Sequence, residues 1–327
     1  MLPIPIADPA QYAALETGAA LVDRSALGRL WITGADALDL LNRLTTNKLE
    51  ELPDGVGRTT VVTNGDARII DFIALGAMDG GMHCLTSPGR GQAVVDWLDM
   101  YTFGEEITVE DRTDETGHYA VVGPSTGEVI GRLPGVGTLE RDTLVATEIG
   151  GVRAVVWRTL VGGADGYEVI ADKSGADAVR AVLDSSGASP VSEETWEAFR
   201  VANGAPAFGA ELGDFTNPLE GRLLGSISED KGCYTGQEVI ARLMTYKKVQ
   251  RKLMSVKLSA PVPVGTELHA GQVRAGTITS VAGTPEGHVA LALVSTKHAE
   301  VGGELSIGPD SVTLAEPLYA AATEPPQ

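Results

Sequence analysis

The chain has 327 residues, of which 43% are hydrophobic and 21% charged, and its formal net charge is −19. This length predicts more than one domain, and no apolar run approaches the roughly 20 residues that cross a bilayer, which excludes a helical membrane protein. The acidic balance excludes a general nucleic-acid-binding protein, because such proteins need a positive surface. Without a basic or apolar leader pattern, we expect a cytoplasmic protein, and we expect a monomer.

The predicted elements follow one another as an α+β pattern. A strand in LVDRSALGRLWITG precedes a helix whose apolar residues Ala37, Leu40, Leu41 and Leu44 recur at helical spacing. A hairpin follows in TTVVTNGDARIIDFIALGAM, then a helix in AVVDWLDMYTF and the strands ITVEDR and YAVVGP. A second β-rich part, VRAVVWRTLVGGADGYEVIAD, precedes helices near 174–186 and 192–203. Beyond residue 250, short strands between Gly and Pro turns predict a small β-barrel or sandwich.

The segment KGCYTGQEVIARL carries the strongest local signal. Thr235 and Glu238 form a capping-box pattern, which predicts a helix with Thr235 as its N-cap. Cys233 then lies just before the helix and two residues from Lys231, and both features favour a reactive thiolate. The alternative is a small buried cysteine under a turn. The cysteines, Cys84 and Cys233, are too few for a disulfide framework, and neither they nor the histidines show metal-ligand spacing, so we expect no metal.

Asp71 is a candidate because of its predicted neighbours. On a strand it shares a face with Ile69, Ile73 and Leu75, where an unpaired charge is costly. Either a polar group meets it there, or the strand is an edge strand with this position turned to water.

Glu168 and Arg200 are weaker candidates on local pattern alone. Glu168 follows a glycine-rich turn, and a carboxylate can accept two parallel hydrogen bonds from adjacent N–H donors, such as those of a pterin. The alternative is a strand residue that faces solvent. Arg200 follows Trp196 by one turn of a predicted helix, and a lone helical arginine is usually a surface residue.

A basic stretch interrupts the acidic chain between residues 239 and 266. It contains no acidic residue and six positive charges, Arg242, Lys247, Lys248, Arg251, Lys252 and Lys257. The stretch is either a solvated strand or loop protected by lysines, or a site for an anionic ligand.

KGCYTGQEVIAR is similar to the signature of the YgfZ-type folate-binding proteins, which are members of the tetrahydrofolate-binding superfamily of the glycine-cleavage T-protein, an aminomethyltransferase. The resemblance covers nearly the whole chain. It includes LVDRSALGRLWITGADALDLLNRLTTN, VVGPSTGEVI, FRVANGAPAFGAEL and GTITSVAGTPEGHVALALV.

The resemblance implies a three-module ring around a channel that holds tetrahydrofolate or a one-carbon derivative. The modules are a discontinuous α+β region over 1–48 and 137–249, a ferredoxin-like insert over 49–136, and a C-terminal β-barrel over 250–327.

The resemblance also implies roles for individual residues. Asp71 would lie beside the one-carbon centre and Glu168 would hold the pterin, while Arg200 would line the same channel. Lys231 and Tyr234 would contribute to the folate site, and Cys233 with Asp71 would carry the chemistry. The sequence departs from the T-protein pattern at three positions. Phe72 replaces the second of two adjacent aspartates, and Val161 and Ala164 replace the tyrosine and the first glutamate of the YTGExGxE motif.

These departures favour folate binding over aminomethyl transfer. We therefore expect a tetrahydrofolate-binding protein that supports assembly or repair of iron–sulfur enzymes, with those enzymes or their assembly proteins as partners. The alternative is a folate-dependent aminomethyl- or methyltransferase with Asp71 positioning or deprotonating the acceptor nitrogen. A third alternative is a folate-binding module without turnover.

Overall fold

The computed structural model describes residues 4–323, which form a mixed α and β structure. Its helices are α1 (Pro9–Thr17), α2 (Ala37–Leu44), α3 (Gly91–Met100), α4 (Thr126–Ile130), α5 (Ala176–Ser185), α6 (Glu193–Asn203), α7 (Gln237–Thr245) and α8 (Leu318–Thr323). The first eight strands are β1 (Ala20–Asp23), β2 (Gly28–Thr33), β3 (Gly57–Thr63), β4 (Ile69–Met78), β5 (Gly81–Thr86), β6 (Thr108–Asp111), β7 (Thr116–Val122) and β8 (Thr143–Ile149). The others are β9 (Val152–Val161), β10 (Ala164–Asp172), β11 (Ser189–Pro190), β12 (Arg251–Leu258), β13 (Glu267–Ala270), β14 (Val273–Thr284), β15 (Gly287–Ser295), β16 (Glu304–Ile307) and β17 (Asp310–Ala315). Within 4–323, no helix combines the length and apolar character needed to cross a membrane.

A five-stranded antiparallel sheet has the order β3-β4-β5-β2-β6. With α2 after β2 and α3 after β5, its connectivity is ferredoxin-like with β3 added at the edge. Apolar residues of α2 and α3, such as Leu41 and Leu98, pack with Ile73 and Leu75 of β4 on one face. The predicted ferredoxin-like module is confirmed, as is the α+β fold class.

A six-stranded sheet has the order β11-β1-β7-β10-β9-β8, and α4 and α5 cover one of its faces. Strand β1 precedes the ferredoxin-like strands in sequence and β7 follows them, so this module is discontinuous. Sheet membership departs from the expected boundaries, because the ferredoxin-like sheet begins at Gly28 and ends at Asp111, whereas β7 and α4 belong to the six-stranded module. Strand partners are set by long-range hydrogen bonds, which local sequence patterns do not reveal.

The C-terminal strands form a closed barrel in the order β12-β15-β14-β13-β16-β17, closed by pairing of β12 with β17. Its interior is apolar and includes Met254, Ile278 and Leu314. Helix α6 packs on its outside through Trp196 and Phe199. The predicted β-barrel is confirmed, while residues 1–3 and 324–327 of the expected modules lie outside the described residues.

Candidate functional site

A cavity of about 820 Å³ lies between the ferredoxin-like sheet, the face of the six-stranded sheet that α4 and α5 leave free, α6 and α8. Its charged and polar lining includes Asp23, Arg24, Thr59, Arg141, Asp142, Thr159, Glu168, Glu193, Glu197 and Arg200. Its apolar lining includes Phe72, Leu85, Trp196, Phe208 and Tyr319. The cavity therefore offers flat apolar surfaces together with a few charged groups, as small-molecule sites commonly do.

Glu168 is a buried carboxylate in the wall of this cavity. It lies on β10 and is 4% exposed. Arg24 Nη2 lies 3.7 Å from its Oε1, and His118 Nε2 lies 2.9 Å from its Oε2. Although these two atoms are close, within the described residues neither His118 Nε2 nor Glu168 Oε2 has a hydrogen-bond partner. A buried acceptor without a donor is costly in a folded protein, and a ligand donor would remove that cost.

The charge state of Glu168 follows from its surroundings. Burial opposes its ionisation, but the charge of Arg24 and the contact with His118 outweigh burial and hold its pKa below the usual value. Burial lowers the pKa of His118, and the neighbouring Glu168 charge opposes this shift. Arg24 supplies a permanent positive charge beside the Glu168 carboxylate. The cavity wall therefore presents an ionised acceptor.

Arg200 lines the cavity, but its guanidinium is fully engaged. Its Nε donates to Glu197 at 2.8 Å, and its Nη1 donates to the Ala205 carbonyl at 2.7 Å and to Glu211 at 3.2 Å. Its Nη2 donates to Glu197 and, at 3.1 Å, to Ser280 on β14. All five N–H donors are used, so Arg200 joins α6 to the barrel and to the chain after α6. A ligand could gain a hydrogen bond from it only by replacing one of these.

Asp71 is fully buried, and its carboxylate does not line the cavity, whereas the next residue, Phe72, does. The carboxylate accepts hydrogen bonds from the backbone N–H groups of Phe72 at 2.9 Å and Ser87 at 3.0 Å. Burial raises its pKa to about 6, and these bonds lower it only in part. The polar groups that meet Asp71 are therefore two backbone N–H groups, one of Phe72 and one of Ser87 at the start of the connection between β5 and α3. The position beside the cavity expected for Asp71 is occupied by Phe72.

The signature residues Lys231 and Tyr234 also lie outside the cavity lining. Lys231 is buried, and its Nζ donates to the carbonyls of Asn42, Thr45 and Asn47, the last two at 2.7 Å. Burial lowers the pKa of Lys231 to about 8. The Tyr234 ring lies 4.9 Å from the Lys231 ammonium. These contacts attach the signature loop to the end of α2 and give neither side chain a direct contact with the cavity.

The predicted capping box at Thr235 is wrong. Helix α7 begins at Gln237, and its N-cap is Gly236 at φ +84°, without a side-chain cap. The backbone of Thr235 is used elsewhere, because its N–H donates to the Arg43 carbonyl and its carbonyl accepts from Thr63 Oγ1. Cys233 consequently lies farther from the helix start than expected, and it is exposed rather than buried under the turn.

None of the six basic residues between 239 and 266 lines the cavity. Arg251 forms a two-pronged pair with Glu220, with both N···O distances at 3.0 Å. The stretch is therefore better explained as helix and strand surface than as part of this site.

Arg24, His118 and Asp142 were not among the candidate residues predicted from the sequence. A signal existed for His118, because it is a polar residue on a strand whose next same-face positions, Ala120 and Val122, are apolar. Arg24 and Asp142 lie in connections directly beside strands, and nothing local distinguishes them from solvated loop residues. Asp142 shows its special position only in the structure, where its φ is +60°.

Residues 7–231 match the family model of the GCVT N-terminal domain, and residues 250–321 match that of the CAF17 C-terminal beta-barrel domain. A chloroplastic protein of Arabidopsis thaliana, named provisionally as a transferase, is 31% identical over 96% of this chain and 74% of its own. The aminomethyltransferase of Caldanaerobacter subterraneus is 24% identical over 91% of this chain and 82% of its own.

The crystal structure of the glycine cleavage system aminomethyltransferase T from Bartonella henselae superposes with a TM-score of 0.85. It is 20% identical and covers 97% of this chain and 91% of that one, so the likeness supports the fold. The chain belongs to the GCVT family and carries a CAF17-type C-terminal barrel. The predicted family membership is confirmed.

Proposed function

We propose that this chain binds tetrahydrofolate, or a one-carbon derivative of it, in the cavity beside Glu168. The observation that carries the proposal is the ionised, buried carboxylate of Glu168, whose Oε2 has no hydrogen-bond partner among the described residues. A pterin presents adjacent N–H donors that a carboxylate can accept in parallel. Membership of the GCVT family supports this choice of ligand.

The surrounding residues fit such a ligand. Trp196, Phe72 and Phe208 line the cavity and would contact the faces of a flat heterocycle. Arg24 would keep Glu168 ionised, and Arg141, also in the lining, would attract the carboxylates of a folate tail. Bound tetrahydrofolate would supply a carrier for one-carbon units, while these side chains would bind and orient it.

In this proposal the biological role is support of iron–sulfur enzyme assembly or repair, with Cys233 as the functional thiol. Cys233 is exposed and lies outside the cavity lining, so a partner protein could reach it while folate is bound. Its loop is held by the buried Lys231 ammonium and by packing of Tyr234 against Ala67 and Ile240. A thiol on a firmly held, accessible loop suits contact with another protein.

The competing function is a folate-dependent aminomethyl- or methyltransferase, and the names of several relatives favour it. Against it, the buried Asp71 carboxylate does not line the cavity, and Phe72 takes the cavity position. Titration with tetrahydrofolate followed by a one-carbon donor turnover assay separates the two. Binding without turnover supports the proposed function, whereas turnover that depends on Asp71 supports the transferase.

A further inference from the structure

Asp142 lies in the cavity wall, directly before the first residue of β8. Thr143 of β8 pairs with Arg158 of β9, so Asp142 lies opposite Thr159. The Oδ1 of Asp142 accepts a hydrogen bond from Thr159 Oγ1 at 3.1 Å. Its backbone N–H donates to the Arg158 carbonyl at 2.8 Å, and its own carbonyl accepts from Gly57 N at 2.6 Å. Two modules therefore hold the backbone of Asp142, at a φ of +60° that aspartate tolerates better than most residues.

The Asp142 carboxyl lies on the same face of the six-stranded sheet as Glu168. In the β9–β10 register, Glu168 is opposite Trp157 and Gly166 is opposite Thr159. Paired residues share a face, and residues two apart on a strand return to it, so Thr159 is the diagonal neighbour of Glu168 at about 7 to 8 Å. Asp142 lies opposite Thr159 on the far side of β9, so the two carboxyl groups lie on one face of the sheet with β9 between them. Two strand spacings amount to about 10 Å, which leaves room for a two-ring heterocycle between the two carboxyl groups.

Their surroundings influence the two groups in opposite directions. The charge of Arg24 helps to hold the pKa of Glu168 below its usual value, against the effect of burial. Burial raises the pKa of Asp142, and the hydrogen bond from Thr159 and the charge of Arg141 only partly offset this. Two carboxyl groups whose pKa values are shifted in opposite directions can take different roles towards the same ligand.

The pyrazine ring of a pterin differs between oxidation states at its nitrogens. In the tetrahydro form these nitrogens carry N–H donors, whereas in the fully oxidised form they carry lone pairs. We propose that Asp142 is the residue by which the cavity selects a reduced pterin over an oxidised one, with Glu168 holding the amino-pyrimidine edge and Asp142 facing the pyrazine ring. This inference rests on the proposed folate site. A carboxylate there accepts from the reduced ring and repels the lone pairs of the oxidised ring.

The test compares the affinities of tetrahydrofolate and folic acid, measured anaerobically by calorimetry, for the unmodified chain and Asp142→Asn. Asparagine tolerates positive φ and its amide oxygen can still accept from Thr159, so the backbone should be retained. We expect the unmodified chain to prefer tetrahydrofolate and the variant to lose at least about tenfold of that preference, because the amide can also donate to an oxidised nitrogen. The control is Asp184→Asn, which removes one negative charge from the exposed surface of α5 and should leave the preference unchanged.

Thr159→Val provides a second variant should Asp142→Asn fold poorly. It removes the hydrogen bond that orients Asp142, and a partial loss of the preference is expected. An unchanged preference in both variants, with tetrahydrofolate still bound, overturns this inference and leaves the proposed function standing. Absence of tetrahydrofolate binding by the unmodified chain overturns both.

Discussion

Arg24 Nη2 lies 3.7 Å from Glu168 Oε1, and the guanidinium carbon of Arg24 lies 5.2 Å from the centroid of the Trp196 ring. The arginine therefore links the buried carboxylate of β10 to an aromatic side chain of α6. Its cation–π contact fixes the charge where it offsets the burial of Glu168. The electrostatics of the cavity depend on this pair more than on Arg200, whose donors are engaged by protein groups.

The first prediction concerns Arg24→Met. Without the guanidinium, only His118 opposes the effect of burial, so the pKa of Glu168 is higher than in the unmodified chain. The carboxyl is then protonated at a higher pH and loses acceptor capacity as the pH falls. Tetrahydrofolate affinity should be nearly flat between about pH 6 and 8 for the unmodified chain and should fall towards the acid side in the variant. Calorimetric titrations at several pH values measure this. Parallel profiles for the two proteins would rule out this role for Arg24.

The second prediction concerns Asp71→Asn and stability. The folded-state pKa of Asp71 is raised from 3.8 to about 6, so burial of the ionised form destabilises the fold. A raised carboxyl pKa contributes stability at low pH that is lost as the pH rises through this window. The unmodified chain should therefore lose about 2 kcal/mol of unfolding free energy relative to Asp71→Asn between about pH 4 and 7. Urea unfolding at both pH values checks this, and a pH-independent difference would contradict it.

Lys231→Met tests whether the signature lysine is a structural clamp. The substitution removes three hydrogen bonds from a buried ammonium to the carbonyls of Asn42, Thr45 and Asn47. We expect a loss of about 2 kcal/mol of unfolding free energy, because charged hydrogen bonds are lost but the desolvated charge is removed as well. Tetrahydrofolate affinity of the folded variant should be unchanged. A stable variant with weakened folate binding would contradict this prediction and show that Lys231 contributes to folate binding.

The two cysteines should differ sharply towards an alkylating reagent. Cys233 is exposed, whereas Cys84 is fully buried, and burial together with the nearby Asp71 charge raises the pKa of the Cys84 thiol. Mass spectrometry after brief alkylation of the native protein should find Cys233 modified and Cys84 unmodified. Equal modification without unfolding would contradict the described burial.

The proposed role of Cys233 is tested in a cell that lacks its own copy of this protein. Cys233→Ala should keep tetrahydrofolate affinity, since the cysteine lies outside the cavity lining, and should fail to support iron–sulfur enzymes. Cys84→Val is the matched control, because it replaces a buried thiol with an apolar side chain of similar size and should retain support. Full support by Cys233→Ala, with loss in Asp71→Ala, would favour the transferase.

Local patterns predicted the hairpin, several helices and the small C-terminal barrel or sandwich, whereas the ferredoxin-like module and the discontinuous region were implied by the family resemblance. Strand alternation predicted the apolar neighbours of Asp71. The cavity-lining position of Glu168 was implied by the family resemblance and not by its local pattern. The orientation of Asp71 was harder, because resemblance to a motif does not say whether that residue or Phe72 faces the cavity.

The other differences arise from contacts between distant segments. Thr235 fits a capping box by spacing, but its backbone hydrogen-bonds to Arg43 and Thr63, and the N-cap is Gly236, one residue later. Arg24 reaches Glu168 only because β1 and β10 both pair with β7. Neither contact can be predicted from the residues that are near Thr235 or Arg24 in the sequence.

The most direct measurement is a tetrahydrofolate titration of the unmodified chain, Glu168→Gln and Glu193→Gln. In Glu168→Gln an amide NH2 group replaces one carboxylate oxygen and would face an N–H group of the pterin. Loss of a charge-assisted hydrogen bond costs about 1.5 to 3 kcal/mol. We expect the unmodified chain to bind tetrahydrofolate and Glu168→Gln to bind it at least about tenfold more weakly. Glu193→Gln, which changes an exposed acid in the same cavity lining, should bind as the unmodified chain does. Equal affinity of Glu168→Gln and the unmodified chain, or no binding by any of them, would contradict the account.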